Sequence, residues 1–528
     1  MTAVTAVRHR GRTRRATWRR VAVGTSVALA AGGCSRVGIG HSTLGPLPTA
    51  PSPATTVPAT TVPAPPTVGS ITWSVCLSDQ GPRGAECATV PVPLDYANPN
   101  GAQISLALDR HRATGTREGA LLINPGGPGA SGVDGLETVL GILSPAVLAH
   151  FDIIGFDPRG VARSAPIRCL SGPELDQYYH LDPAPSTDAG FQALVDAARR
   201  FDQACQANSG AILAHVGTVD AARDMEQIRV AIGADKLNYF GFSYGTLLGA
   251  TYAEEFPDHI RAMVLDGAID PAQDATTLTI AQSGAFNAEL DAFFADCTSA
   301  RNCAWHPGGD LRAAFDALTA GLKSRPLPAG GGRSLGPGEA FYGVALPLYD
   351  RASWPDLAAA LEQATQGDGS GLLHLSDLYT TRAVDGTYSN EQDANTAVSC
   401  DDYPWPSDPA AIRALGPRAA ATAPEFGIAD LYGGLSCSMW PVEPTRSPHP
   451  ITAPGSPPIV VIGSTGDPAT PYGDAVALAS ELTQGVLVTR QGDGHTGYRS
   501  SSCVRAHVDA YLLSLTVPAK GISCPSDG

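Results

Sequence analysis

A serine hydroxyl attacks a carbonyl only where the backbone presents it and a base can take its proton. Residues 237–256 supply the presentation. Leu237–Phe242 is an apolar run that reads as a buried strand, and Thr246–Phe256 reads as the helix that follows it. Between them stands Gly241-Phe-Ser-Tyr-Gly245, a G-x-S-x-G pentapeptide in the strand–turn–helix setting its chemistry requires. Ser243 then lies at a helix N-terminus, which favours developing negative charge. The base needs a carboxylate that holds its tautomer and stabilises the imidazolium. Two downstream residues give the order Ser, Asp, His, each just past an apolar run. Asp467, in Gly466-Asp-Pro-Ala-Thr-Pro471, follows Ile459–Gly463; His495, in Gly492-Asp-Gly-His-Thr496, follows Val486–Thr489. Asp493 and Asp266 are the alternative acids. A tetrahedral intermediate also needs backbone donors for its oxyanion. One is the amide of Tyr244. The other belongs to the loop Asn124-Pro-Gly-Gly-Pro-Gly129, where Pro125 and Pro128 have no N–H and Gly126 or Gly127 remains, with Gly127 preferred. No Lys-Ser or Lys-Thr follows that loop and no G-x-G-x-x-G pattern accompanies it, which argues against phosphate binding.

The elements that must carry these residues alternate. Gly119–Asn124, Phe151–Phe156, Leu237–Phe242 and Ile260–Leu265 are short strands without a polar face, and Val219–Ile232 is a helix that Gly233 ends. Val90–Asp95 reads as an edge strand with Ala102–Arg110 beside it. Buried strands separated by helices predict an α/β fold with a mostly parallel sheet covered on both faces. The rhythm stops near Asp270 and resumes at Pro458. The stretch between is too long for a loop and shows no strand series, so residues 270–455 read as a mainly helical inserted cap. Residues 71–269 and 456–528 are then the two parts of the core.

The chain ahead of the core has a different character. Residues 1–33 hold seven arginines, no acidic residue and the apolar run Val21–Ala31, too short to span a bilayer and suited to a signal peptide. Ala31-Gly-Gly-Cys34 resembles a bacterial lipobox, with Ala31 where Leu or Val is usual, making Cys34 the expected acylation site and a lipid anchor the expected membrane contact. Residues 34–70, rich in Pro and Thr, read as an extended tether. An exported, cell-envelope or secreted protein suits the cysteines. Ten remain besides Cys34, and sequential pairing gives Cys76–Cys87, Cys169–Cys205, Cys297–Cys303, Cys400–Cys437 and Cys503–Cys524. No C-x-x-C pair suggests a metal site, and nothing asks for a cofactor. Net charge is −16 overall, and losing the head leaves 28 basic against 51 acidic residues, which argues against nucleic acid as a partner.

Five motifs in order, Asn124-Pro-Gly-Gly-Pro-Gly129, Gly155-Phe-Asp-Pro-Arg-Gly160, Gly241-Phe-Ser-Tyr-Gly-Thr246, Ala253-Glu-Glu-Phe-Pro257 and Gly466-Asp-Pro-Ala-Thr-Pro471, resemble the actinobacterial secreted tripeptidyl aminopeptidases. The likeness spans roughly Thr72–Cys524 and is strongest toward mycobacterial cell-envelope lipoprotein proteases and carboxylesterase-like members. It implies an α/β-hydrolase core with a characteristic carboxyl-terminal segment, and hydrolysis of peptides from a free amino terminus by Ser243, Asp467 and His495. Such an enzyme must hold an ammonium group with a carboxylate. Ser399-Cys-Asp-Asp402 resembles the family's Cys-x-Asp segment, so Asp402 and then Asp401 are the candidates, unless they cap a helix or brace a disulfide loop. Asp157 and Arg159 match the family too, as residues that hold the loop beside the site. Three functions follow: an exported serine aminopeptidase acting on peptide or protein, a carboxylesterase using the same triad, or an envelope binding protein without chemistry. The intact Ser, Asp, His order argues against the third.

Overall fold

The computed structural model describes residues 71–76 and 84–527; the expected signal segment, the tether and Cys34 lie outside the described residues. The strands are β1 (Ser74–Val75), β2 (Glu86–Pro93), β3 (Gln103–His111), β4 (Gly119–Asn124), β5 (Phe151–Phe156), β6 (Leu237–Phe242), β7 (Ile260–Asp266), β8 (Leu327–Pro328), β9 (Ser334–Leu335), β10 (Ile459–Gly466), β11 (Gly485–Asp493) and β12 (Ile522–Cys524). Ten of them form one sheet in the order β1-β2-β3-β5-β4-β6-β7-β10-β11-β12. The β1, β2 and β3 pairings are antiparallel, and every pairing from β5 through to β12 is parallel.

The parallel strands are apolar throughout because both faces are covered. Leu122, Ile154, Tyr239, Met263 and Val461 point into one hydrophobic cluster. Their neighbours Leu121, Ile123, Ile153, Phe240, Val264 and Val460 point into the other. Register alternation thus delivers consecutive residues to opposite cores. Helix Thr218–Ala231 packs with the nucleophile helix Tyr244–Glu255 on the first face, and helix Ser502–Ser514 covers the second.

Several elements differ from the sequence reading. β2 is not the outermost strand, since Ser74 pairs with Cys87. β12 was not anticipated; three residues carry too little periodicity, and it is held by pairing with β11 and by Cys503–Cys524. β10 and β11 run on to Gly466 and Asp493, so Asp467 directly follows its strand.

The cap is a stack of helices with its own apolar core around Phe293, Trp305, Leu348, Trp354 and Leu361, and its only strands among the described residues are the β8–β9 hairpin. Helix Asp188–Ser209, counted with the core by sequence, sends Phe191, Val195 and Ala198 into a cluster with the cap residues Ile412, Ala419, Leu431 and Leu435. Conversely, cap helix Glu391–Asp402 sends Ala397 and Val398 into the cluster under the sheet. Cap and core are therefore interleaved. Five disulfides, Cys76–Cys87, Cys169–Cys205, Cys297–Cys303, Cys400–Cys437 and Cys503–Cys524, join near neighbours in sequence. No described helix is long and apolar enough to cross a membrane.

Candidate active site

Ser243 sits between the end of β6 and its helix with φ 55° and ψ −124°, a conformation an L-residue holds only when its surroundings enforce it. Its amide donates to Asp266 O at 2.9 Å. The flanking glycines are forced by space: a Cβ on Gly241 would lie 2.3 Å from Gly245 O, and one on Gly245 would lie 2.9 Å from Asn124 O. The turn lifts Ser243 clear of the sheet's carboxyl edge, and its hydroxyl makes no hydrogen bond among the described residues.

The turns after β10 and β11 bring the acid and base together. His495 Nδ1 lies 2.8 Å from Asp467 Oδ1 and 3.0 Å from Oδ2. The carboxylate, 3% exposed, also accepts the amides of Ala469 (3.0 Å), Thr470 (2.9 Å) and Thr496 (3.2 Å). Thr470 Oγ1 is 3.4 Å from His495 Nδ1. The histidine amide donates to Tyr349 O at 2.7 Å, and the Tyr349 ring stands edge-on to the imidazole at 5.6 Å. Burial lowers the affinity of the imidazole for its proton, but the charge and hydrogen bond of Asp467 outweigh it and leave the His495 pKa above its ordinary value. Nε2 is buried and makes no hydrogen bond, the state of a base awaiting a donor.

The two alternative acids are engaged elsewhere. Asp493 forms an ion pair with Arg351 at 2.8 Å. Asp266, fully buried, accepts the amides of Gly497 (2.7 Å) and Tyr498 (2.8 Å), which anchors the segment after His495.

The glycine loop lies against the nucleophile. Gly126 N donates to Asn124 Oδ1 at 3.0 Å, whereas the Gly127 amide makes no hydrogen bond within the described chain. Gly127 therefore has a free donor and Gly126 does not. Beside it, Asp157 accepts from Ser131 Oγ (2.5 Å) and from the amides of Val133 and Arg163, and Arg159 forks onto Asp224 at 2.7 and 2.6 Å. Asp157 therefore ties down the segment that follows the glycine loop, whereas Arg159 reaches Asp224 and the carbonyls of Pro93, Leu94 and His215, away from it.

Asp401 and Asp402 are not at the mouth of the site. Asp402, 1% exposed, accepts from Thr218 N at 2.7 Å and Thr218 Oγ1 at 2.5 Å; Asp401, 0% exposed, accepts from Gly217 N at 2.9 Å. They cap helix Thr218–Ala231 from positions closed to solvent, which a substrate amine does not reach, so the expectation that this pair holds it is corrected. Two other cap carboxylates, Glu391 and Asp430, act on Tyr349, the ring that stands against the imidazole. Glu391 makes no side-chain hydrogen bond or ion pair, and burial alone raises its pKa. Asp430, pushed up to about 7 by burial against the pull of Ser283, has that hydroxyl at 2.7 Å as its partner. Both act on Tyr349, whose hydroxyl is pushed up to about 12, first by burial, with a Tyr379 hydrogen bond opposing and the charges of Asp430, Asp467 and Glu391 adding. Sequence offered no signal for Tyr349, Glu391 or Asp430, because cap residues fall at no diagnostic spacing.

Comparison with known proteins agrees with this architecture. The alpha/beta hydrolase fold family matches residues 119–306, and the TAP-like protein family matches residues 423–524. Serine protease Hip1 of Mycobacterium tuberculosis is 38% identical over 474 residues, covering 86% of this chain and 91% of that one. Carboxylesterase B of the same species is 40% identical over 454 residues, covering 84% and 86%. Tripeptidyl aminopeptidase of Streptomyces lividans is 36% identical over 474 residues, covering 86% of each.

Proposed function

The chain belongs to the α/β hydrolases with a TAP-like carboxyl-terminal segment and is a serine hydrolase of the peptidase type, and from that premise we propose that it cleaves peptides from a free amino terminus outside the cytoplasm. The observation that carries the reading is the pair of half-buried cap carboxylates, Glu391 and Asp430, which lack any cationic partner and whose charges reach Tyr349, the ring in contact with His495. A carboxylate taken out of water is costly unless a cation joins it, and a peptide's terminal ammonium is such a cation.

In the proposed cycle His495 Nε2 takes the Ser243 proton as Oγ attacks the scissile carbonyl, and Asp467 stabilises the imidazolium. The Gly127 and Tyr244 amides receive the oxyanion. His495 then returns the proton to the departing amine, and water resolves the acyl-enzyme by the same route. Residues 1–33 and Cys34 supply the export and anchoring part of the proposal through their basic head, apolar run and lipobox-like end. Ester hydrolysis is the second reading, favoured by the likeness to Carboxylesterase B, since one triad serves both bonds.

The test compares a tripeptide chromogenic amide with a free amino group, its amino-acetylated form and a short-chain nitrophenyl ester on the wild-type chain and Ser243→Ala. Serine-dependent turnover of the free peptide, lost on acetylation, is the expected result. Turnover of the ester with neither amide would refute the peptidase reading, and equal turnover of both amides would refute the free-terminus requirement.

A further inference from the structure

Cap helix Glu391–Asp402 touches both halves of the oxyanion hole from behind. Near its start, Asn395 Nδ2 donates to Pro128 O at 2.9 Å, two peptide units along the loop from the one that carries the Gly127 N–H. The packing there is close, since a Cβ on Gly129 would lie 2.9 Å from Asn395 N and closer still to Glu391 O. At its other end, the Asp402 carboxylate holds Thr218 Oγ1 at 2.5 Å, and the same oxygen lies 2.7 Å from Tyr244 Oη. The carboxylate can only accept, so Thr218 donates to it and Tyr244 donates to Thr218. The result is a charge-terminated relay onto the residue whose amide is the second donor.

The helix itself is fixed to the core along its length. Asn390 donates to Gly160 O (2.8 Å) and Ile167 O (3.0 Å) and accepts Ala162 N (2.8 Å), while Asp393 accepts Cys169 N (2.9 Å). Cys400–Cys437 secures its last turn to the following cap helices.

We propose that this cap helix is the rear brace of the oxyanion hole, with Asn395 setting the Gly127 donor through Pro128 O and Asp402 setting the Tyr244 donor through Thr218. Both are positioning residues, since neither touches substrate. A preorganised hole gains its advantage from donors already aimed at the oxyanion, so loosening either brace acts on the transition state and leaves ground-state binding alone. The inference rests on the assignment of Ser243, Gly127 and Tyr244 given above.

The experiment uses Asn395→Ala and the near-isosteric Thr218→Val, which removes the hydroxyl linking Asp402 to Tyr244. Competent sites are counted with a serine-directed fluorophosphonate, kcat per counted site is measured on the best substrate, and a peptide aldehyde, which forms a hemiacetal on Ser243, is titrated as inhibitor. Losing a whole oxyanion donor costs about 100- to 1,000-fold, so a misaimed donor should lower kcat per site roughly tenfold in each variant. The aldehyde Ki should rise by the same factor, with KM within about twofold. If the counted sites decline while each survivor keeps wild-type kcat and Ki, the helix is merely structural and the brace is refuted. Full turnover by Ser243→Ala would instead bring down the site assignment, and the brace with it.

Discussion

Asp467→Asn isolates what the acid does, because every polar atom around that carboxylate is a donor. Oδ1 receives Ala469 N, Thr470 N and His495 Nδ1, and Oδ2 receives Thr496 N and His495 Nδ1. An asparagine keeps its oxygen where two backbone amides point and turns its NH2 toward Thr496 N and the imidazole. That NH2 can be satisfied only if Nδ1 becomes an acceptor, which moves the histidine proton to Nε2 and removes the base. Wrong-tautomer substitution in a Ser-His-Asp triad costs about 10⁴-fold in kcat, or roughly 5.5 kcal/mol of transition-state stabilisation. The remaining NH2–Thr496 donor clash should cost about 1–3 kcal/mol of stability. The assay is kcat and kcat/KM from pH 5 to 10 with thermal unfolding alongside. Wild-type activity should fall as pH drops through a value above the ordinary imidazole one, since Asp467 raises His495 and only the neutral base is active. In Asp467→Asn the limb should move to lower pH. Retention of more than about a tenth of wild-type kcat would refute the reasoning, given the ~10⁴-fold expectation. So would an equal loss in Asp493→Asn, whose carboxylate faces Arg351 instead.

Two further outcomes follow from burial and close contact. Gly126 has φ +109° and an added Cβ would lie 2.8 Å from Phe242 O and 2.9 Å from Ser243 Cβ, so Gly126→Ala must shift the loop; kcat should fall by about 100-fold or more with KM little changed, measured on the free peptide. Asp109, Asp202 and Glu289 are each pushed up to about 8, chiefly by burial. They bind protons more tightly folded than unfolded, so the stability they contribute is complete in acid and is lost as pH rises through about 8. The melting temperature should therefore drop from pH 6 to pH 9, and a rise over that interval would contradict the buried, uncompensated placement of these groups.

The parts of this protein legible in its sequence are those fixed by local rules. β4, β5 and β6 begin and end where their largely apolar runs do, because strands covered on both faces favour apolar residues and glycine-rich turns cut them off sharply. The turn that carries Ser243 could be read because its tightness demands glycines, and the Asp467–His495 contact because chain order restricts the choice. What escaped depends on direction in space. The spacing of Ser399-Cys-Asp-Asp402 sets two carboxylates on a helix but does not say that they face the amides of Gly217 and Thr218. Asn395 is one polar residue on a helix among many, and only the path of the Pro128 carbonyl gives it a role. β12 exists through its disulfide and the register of β11 rather than through any propensity of its own.

The same triad and oxyanion hole hydrolyse amides and esters alike, so the choice between them has to be made in the cap. A site for a neutral acyl ester needs apolar walls and no fixed charge, and there Glu391 and Asp430 would be two half-buried carboxylates without a cation, Asp430 offset only by the Ser283 hydroxyl. Arg382 is engaged with Asp176 and Arg413 with Asp188, and Arg351 is divided between Asp296 and Asp493, so these cap arginines are committed elsewhere. With that arrangement the cheapest way to lower the free energy of the two carboxylates is a cation brought in by the substrate, and a peptide with a free amino terminus carries one at its end. A neutral ester carries none, which is why the cap's charge, rather than the triad, favours the peptidase reading.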